Sequence, residues 1–197
     1  MFKLNDPLDD CITISGIEHK LNMAFDNVMD ALEALADKEM TEIDRIDVFL
    51  EIMVGESADD LDLETKLNTV NDVIEHINHD PIESQPIDLN GNPMPVKKSK
   101  DDTNLISFSL DAKYIYAAFV QAYNIDLIEQ QGVLHWAKFS ALLNTLPDTT
   151  LMRQIIDIRK TKLSEIKDKD ERKRIKMLKK QFALPSDELE EGGEMYD

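Results

Sequence analysis

The chain has 197 residues and a mass of 22.5 kDa, with 40 acidic residues, 22 basic residues and a formal net charge of −18. Apolar residues make up 42% of it, enough for a core, whereas glycine and proline together number 13, too few for the turns of an all-β sandwich. A single cysteine excludes a disulfide framework and multi-cysteine metal centres, and no apolar run approaches the roughly 18 residues of a membrane span.

The first predicted element is a small β-hairpin. Apolar and polar side chains alternate from Cys11 to Ile14, Ser15 and Gly16 provide a turn, and residues 17–21 return. An isolated hairpin is only marginally stable, so we expect this one to pack against another element.

Acidic helices follow the hairpin and complete an N-terminal region over residues 1–80. The apolar spacing over 24–35 is helical, and Thr41 is a good N-cap for a second helix that ends at Gly55. The acidic run over 57–64 is expected to begin a third helix.

The remaining chain divides into a proline-rich linker or loop over 81–103, a helical region over 104–184 and a disordered acidic tail over 185–197. Four of the seven prolines lie in the linker, and the tail has six acidic residues and no basic one. Helical spacing and stop signals predict four helices in the third region, at Phe108–Tyr123, Leu134–Leu146, Leu151 to about Lys162, and from Ser164 or Asp168 to about Phe182.

Charge is distributed unevenly along the chain. Residues 1–103 hold 25 acidic and 8 basic residues, whereas Arg153–Lys180 holds 12 basic and 5 acidic ones. An acidic half weakens long-range attraction to DNA, so no nucleic-acid partner is expected. The basic stretch fits a solvated helix face that pairs with the acidic half or tail, docking onto an acidic protein, or, as the weakest interpretation, nucleic-acid contact.

Sites for chemistry are not recognisable in the sequence. His76 and His79 share a helix side, but two ligands do not make a zinc site. The chain contains no glycine-rich phosphate loop, no GxSxG and no HExxH. The sequence therefore predicts a protein that is not an enzyme and that has no cofactor, no metal site and no catalytic residues.

The most distinctive stretch is Leu134–Pro147, which contains the only tryptophan. Its large side chains recur at helical spacing, which fits the main core helix or, as the functional interpretation, a groove that contacts a partner. The candidate partner-binding residues are His135, Trp136, Phe139, Leu142 and Leu143.

This stretch resembles the bacteriophage gene-product-fifteen family, found in siphophages and prophages of Gram-positive bacteria. The similarity is strongest over about Asp111–Pro185 and weak over Met40–Asn104. Besides Leu134–Phe139, Leu142-Leu143 and Leu146-Pro147, the matching positions are Asp111, Tyr114, Ile115, Tyr116, Phe119, Tyr123, Ile125–Leu127, Ile155, Ile158, Arg159, Lys167–Lys169 and Lys179–Pro185.

The resemblance implies a tail assembly chaperone, because such genes lie between those of the major tail protein and the tape measure protein. The expected partner is the tape measure protein, with the major tail protein and a neighbouring tail assembly chaperone as further candidates. The protein is then expected in the cytoplasm of the bacterial host, away from membranes, and absent from the mature virion. The alternative is a structural tail or connector protein retained in the virion.

Sequence and resemblance together predict a mainly α, multi-helix globular protein with a small N-terminal β-hairpin and a disordered acidic C-terminal tail. Five to seven helices are expected. The oligomeric state, the client segment, the host and expression as a frameshifted fusion stay open.

Overall fold

A computed structural model describes residues 5–8, 10–55, 58, 60–78 and 105–184. This part of the chain is mainly α-helical with one two-stranded antiparallel hairpin, so the predicted fold class is confirmed. The predicted proline-rich segment and acidic tail lie outside the described residues. The elements are β1 (Cys11–Ile14), β2 (Ile17–Lys20), α1 (Phe25–Ala36), α2 (Glu42–Val54), α3 (Leu63–Asn78), α4 (Ala112–Tyr123), α5 (Trp136–Asn144), α6 (Leu151–Lys160) and α7 (Lys169–Gln181).

The chain forms two compact units. Unit 1 comprises Met1–Val96 and Leu127–Asn144, with the hairpin, α1, α2, α3 and α5. Unit 2 comprises Lys97–Asp126 and Thr145–Asp197, with α4, α6 and α7. The predicted region 104–184 is thus shared between the units, because its central segment packs on the N-terminal elements. No helix in the described ranges has the length and apolarity needed to cross a membrane.

The hairpin has the register expected from its alternation, with Cys11 opposite Lys20 and Ile14 opposite Ile17. Its turn residues Ser15 and Gly16 both have positive φ, at 50° and 83°. Two consecutive positive φ values match the twist of a two-residue hairpin turn, and glycine adopts such a conformation without steric cost.

Helices α1 and α2 pack against each other through small and large apolar side chains in unit 1. Val28 and Ala31 of α1 and Phe49 of α2 are fully buried. Thr41 caps α2 as predicted, accepting a hydrogen bond from the Asp44 backbone N–H, and Gly55 ends the helix with φ 85°. These local signals could be read from the sequence because each depends on neighbouring residues alone.

Helix α3 begins at Leu63, near the end of the acidic run over 57–64 that was expected to begin it. Thr69, Val73 and Ile77, spaced four apart, face the core of unit 1. Leu63 and Leu67 remain 50% and 44% exposed although they belong to the same apolar pattern. The apolar stripe of this helix is therefore wider than the face that unit 1 covers.

The start of α3 depends on a carboxylate. Asp62 accepts hydrogen bonds from the backbone N–H of Thr65 (3.0 Å) and from its hydroxyl (2.9 Å). Both hydrogen bonds favour the ionised carboxylate, the one from the backbone N–H more than the one from the hydroxyl. They hold the pKa of Asp62 below its usual value.

We expect this interaction to stabilise the first turn of α3 above the unfolded-state pKa of about 3.9, with the effect lost as the pH falls through the lower folded-state pKa. An NMR titration of the Thr65 amide checks this, with Asp62→Asn as the control that lacks the ionisation. A Thr65 midpoint at or above the value of an unperturbed aspartate would contradict the assignment.

Unit 2 is organised around a buried ion pair. The Arg159 guanidinium donates two hydrogen bonds to the Asp111 carboxylate, at 2.6 and 2.8 Å, and the two side chains are only 7% and 2% exposed. Arg159 also donates to the carbonyl oxygens of Leu105 (2.7 Å) and Phe182 (2.8 Å). One side chain thus joins α6 to the start of α4 and to the chain after α7.

Asp111 also explains why α4 begins at Ala112 and not at Phe108. The Ser107 backbone N–H donates to the Asp111 carboxylate, and the Asp111 N–H donates to the Ser107 carbonyl. These two bonds fix residues 107–111 as a turn. The Asp111 carboxylate makes no cap hydrogen bond to α4 and instead accepts hydrogen bonds from Arg159 and Ser107.

Removing one partner of this pair leaves the other buried without its counter-charge. We expect Asp111→Asn to lower the free energy of unfolding by about 3–5 kcal/mol. Arg159→Met should cost a comparable amount, and the double variant should cost clearly less than the two single effects combined. Hydrogen exchange of the α4 and α6 amides measures these differences, and additive effects would show that the two side chains are not coupled.

Candidate partner-binding site

The aromatic side chains of the tryptophan helix form a stack inside unit 1. The Trp136 and Phe139 rings lie 5.6 Å apart at 25°, and Phe139 stacks on Phe25 of α1 at 5.0 Å and 15°. Trp136 and Phe139 belong to the same helix, whereas Phe25 is more than 100 residues away in sequence. The stack therefore joins α5 to α1 through contacts that no local pattern reveals.

The indole nitrogen gives this stack a polar attachment. Trp136 Nε1 donates to the carbonyl oxygen of Ile77, near the end of α3, at 3.1 Å in a buried position. A buried indole N–H usually has such a partner, since leaving it unpaired is costly. Trp136 thus connects α5 with α3 as well as with α1.

Backbone pairing holds the start of α5 against the start of α1. Trp136 N–H donates to the Met23 carbonyl (2.7 Å), and Phe25 N–H donates to the Leu134 carbonyl (2.9 Å). Ala24 and His135 face each other in an isolated antiparallel bridge. This pairing fixes the direction in which α5 enters the unit.

His135 stabilises the same junction through both ring nitrogens. Nδ1 accepts the Ala137 backbone N–H at 3.0 Å, so the proton of the neutral imidazole lies on Nε2, which donates to the Asp10 carboxylate at 2.7 Å. The ring therefore caps α5 and attaches the residue before β1. His135 therefore positions the start of α5, and both of its ring nitrogens form hydrogen bonds within the protein.

The five predicted partner-binding residues divide by burial. Trp136, Phe139 and Leu143 are buried, in agreement with the interpretation of this stretch as a core helix, whereas His135 and Leu142 keep part of their surface exposed. The structure brings the first three together on the inner face of α5. Contact with a partner stays a prediction for all five.

Exposed apolar surface lies directly before the helix, in the loop over residues 127–135. Ile128 and Val133 are 66% and 73% exposed. The loop is nevertheless held in place, because the Gly132 backbone N–H donates to both carboxylate oxygens of Asp26, at 2.9 and 3.1 Å. Gly132 has a φ of 69°, a conformation that glycine adopts without steric cost. A fixed loop that displays two aliphatic side chains is suited to contact another protein.

The sequence offered only partial signals for this arrangement. Gly132 marked a break before the helix, but the roles of Asp10 and Asp26 depend on neighbours more than 100 residues away. Among the residues that the structure describes, no group of three or more His, Cys, Asp or Glu side chains is placed to hold a metal ion. His76 is one of the described residues, whereas His79 lies outside them.

The family model described as Bacteriophage Gp15 protein matches residues 4–184. The chain belongs to this family. The Gp15 match runs through both units and includes the tryptophan stretch and the Asp111–Arg159 pair, so the resemblance found on those residues is confirmed. Comparison of this Gp15 chain with curated proteins and with solved structures gives no match.

The Trp136 hydrogen bond can be separated from its packing by two substitutions. Trp136→Phe keeps an aromatic ring in the stack but leaves the Ile77 carbonyl without its donor, and we expect a loss of about 1–3 kcal/mol in the free energy of unfolding. Trp136→Ala also removes the stack and should cost about 3–5 kcal/mol.

Urea unfolding followed by circular dichroism measures both variants. Phe139→Leu is a suitable control, since it disturbs the stack and leaves the indole hydrogen bond possible. Wild-type stability in Trp136→Ala would show that the residue is not part of the core.

Proposed function

We propose that this Gp15 protein is a tail assembly chaperone that binds the tape measure protein during tail morphogenesis and is not an enzyme. The family match over residues 4–184 supports a role in the structure or morphogenesis of a phage particle. The chaperone role is the finer part of the proposal and follows from what the resemblance implies about tail genes. A chaperone of this kind acts by binding, so it requires an accessible surface for its client.

The observation that carries the binding role is the 127–135 loop. The loop exposes the side chains of Ile128 and Val133. Its C-terminal end is held by the hydrogen bonds to Asp26 and by the backbone pairing with residues 23–25. A preorganised apolar surface loses little entropy on binding, which favours capture of the apolar face of a client helix.

The charge of unit 1 supports the same kind of client. Its described residues include 18 acidic and 5 basic side chains. An aliphatic contact within an acidic surface favours helices that carry basic residues beside their apolar face. In this proposal His135 and Leu142 extend the contact, and Trp136, Phe139 and Leu143 position the loop from within the core.

Co-expression with the tape measure protein of the same phage tests the proposal. We expect the wild-type chain to co-purify with its client in soluble form. Ile128→Asp together with Val133→Asp should weaken binding by about tenfold or more, since burial of each aliphatic side chain is worth about 1.5–3 kcal/mol.

Ile17→Asp together with Ile43→Asp is the matched control, because these unit 1 side chains are exposed to similar extents, at 63% and 55%. Circular dichroism of each variant verifies the fold. An equal loss in the control would place the binding site elsewhere. Absence of capture, with stoichiometric amounts of the protein in purified virions, would instead identify a structural tail or connector protein.

A further inference from the structure

Helix α7 is a basic helix that contributes no buried residue. Seven of its 13 residues are lysine or arginine and two are acidic. It is attached through Asp168, which caps its first turn, and through Lys179, whose ammonium donates to the Arg159 carbonyl at 2.8 Å. The other four lysines of this helix, Lys169, Lys173, Lys176 and Lys180, are exposed.

The outward face of α7 also carries an apolar side chain. Met177 is 67% exposed, and Lys173 and Lys180 lie four and three residues from it, on the same side of the helix. Arg174 is also near Met177, but its charge is paired with Glu171 at 3.0 Å. A large apolar side chain flanked by two lysines fits an apolar surface bordered by acids, because both contributions are satisfied together.

Helix α3 offers such a surface. Leu63, Leu67, Val70 and Ile74, spaced 4, 3 and 4 apart, form a stripe beside its buried face, and the first two are about half exposed. Glu64 and Glu75 are exposed along one edge of this stripe. The positive charge of Lys66 is taken up by Asp47 at 2.8 Å, so the glutamates dominate the local field.

We propose that the Met177 face of α7 in one copy binds the Leu63–Ile74 stripe of α3 in a second copy. The described residues of unit 2 carry 13 basic and 8 acidic side chains, opposite in balance to those of unit 1. The two surfaces differ, so the contact is heterologous and each bound copy presents a further pair of surfaces. The protein then self-associates head to tail, independently of the proposed chaperone role.

Sedimentation velocity of the full chain at about 20 mM and about 500 mM salt tests this, since exposed charges are screened at high ionic strength. We expect a mass above 22.5 kDa at low salt, increasing with protein concentration, and a return to 22.5 kDa at high salt. Met177→Ala and Leu67→Ala should each weaken association without loss of helicity, because both side chains are exposed.

Charge reversal provides the decisive comparison. Lys173→Glu with Lys180→Glu on α7, or Glu64→Lys with Glu75→Lys on α3, should each lower the association constant by about tenfold or more, since like charges then oppose each other. A mixture of the two reversed proteins should associate again, because each mutated surface then has a complementary partner.

Matched reversals elsewhere serve as controls: Lys160→Glu with Lys167→Glu in unit 2, and Asp30→Lys with Glu33→Lys in unit 1. These variants should associate as the wild type does. A wild-type chain that stays at 22.5 kDa at low salt and all concentrations overturns the proposal, as does an equal effect of the controls. Monomeric protein that retards a DNA fragment at moderate salt would assign α7 to a polyanion instead.

Discussion

Unit 1 depends on the pairing of two short segments that are distant in sequence, Met23–Phe25 and Leu134–Trp136. Closing a loop of more than 100 residues costs conformational entropy, so this junction must be stabilised by several interactions formed together. It has two backbone hydrogen bonds, the Phe25–Phe139–Trp136 stack and the bond from the indole to Ile77. Once this junction forms, the direction of α5 and the position of the 127–135 loop follow.

Unit 2 also joins segments that are distant in sequence, but it does so with a buried ion pair where unit 1 uses stacked aromatic rings. Its core includes the buried pair of Arg159 and Asp111, and Arg159 reaches two further carbonyl oxygens with the same guanidinium. A planar cation with five donors suits this task, because one side chain can satisfy several acceptors that belong to separate segments. Replacing it with lysine would keep the charge and lose the geometry.

Local signals were predictable from the sequence, and distant pairings were not. The hairpin turn at Ser15 and Gly16, the cap at Thr41 and the stop at Gly55 depend on a few neighbouring residues. The start of α7 was left open between Ser164 and Asp168, and the structure places the cap at Asp168. Periodicity located the helices but placed the start of α4 four residues too early, at Phe108 and not at Ala112. It also could not show that Leu63 and Leu67, which share the apolar spacing of α3, stay about half exposed. The partners of Asp111, His135 and Trp136 could not be inferred, because each lies in a separate segment of the chain.

The tryptophan stretch is the most recognisable part of the sequence for a reason that differs from direct binding. Its large side chains form the core of unit 1, where packing restricts their identity, whereas the exposed positions Ile128 and Val133 have no such constraint from the fold. Under the proposed function, these two side chains contribute when a client covers them, because burial of apolar surface is favourable. Under the proposed function, the buried residues Trp136, Phe139 and Leu143 position the loop, and the exposed Ile128 and Val133, which lie just before them in sequence, contact the client.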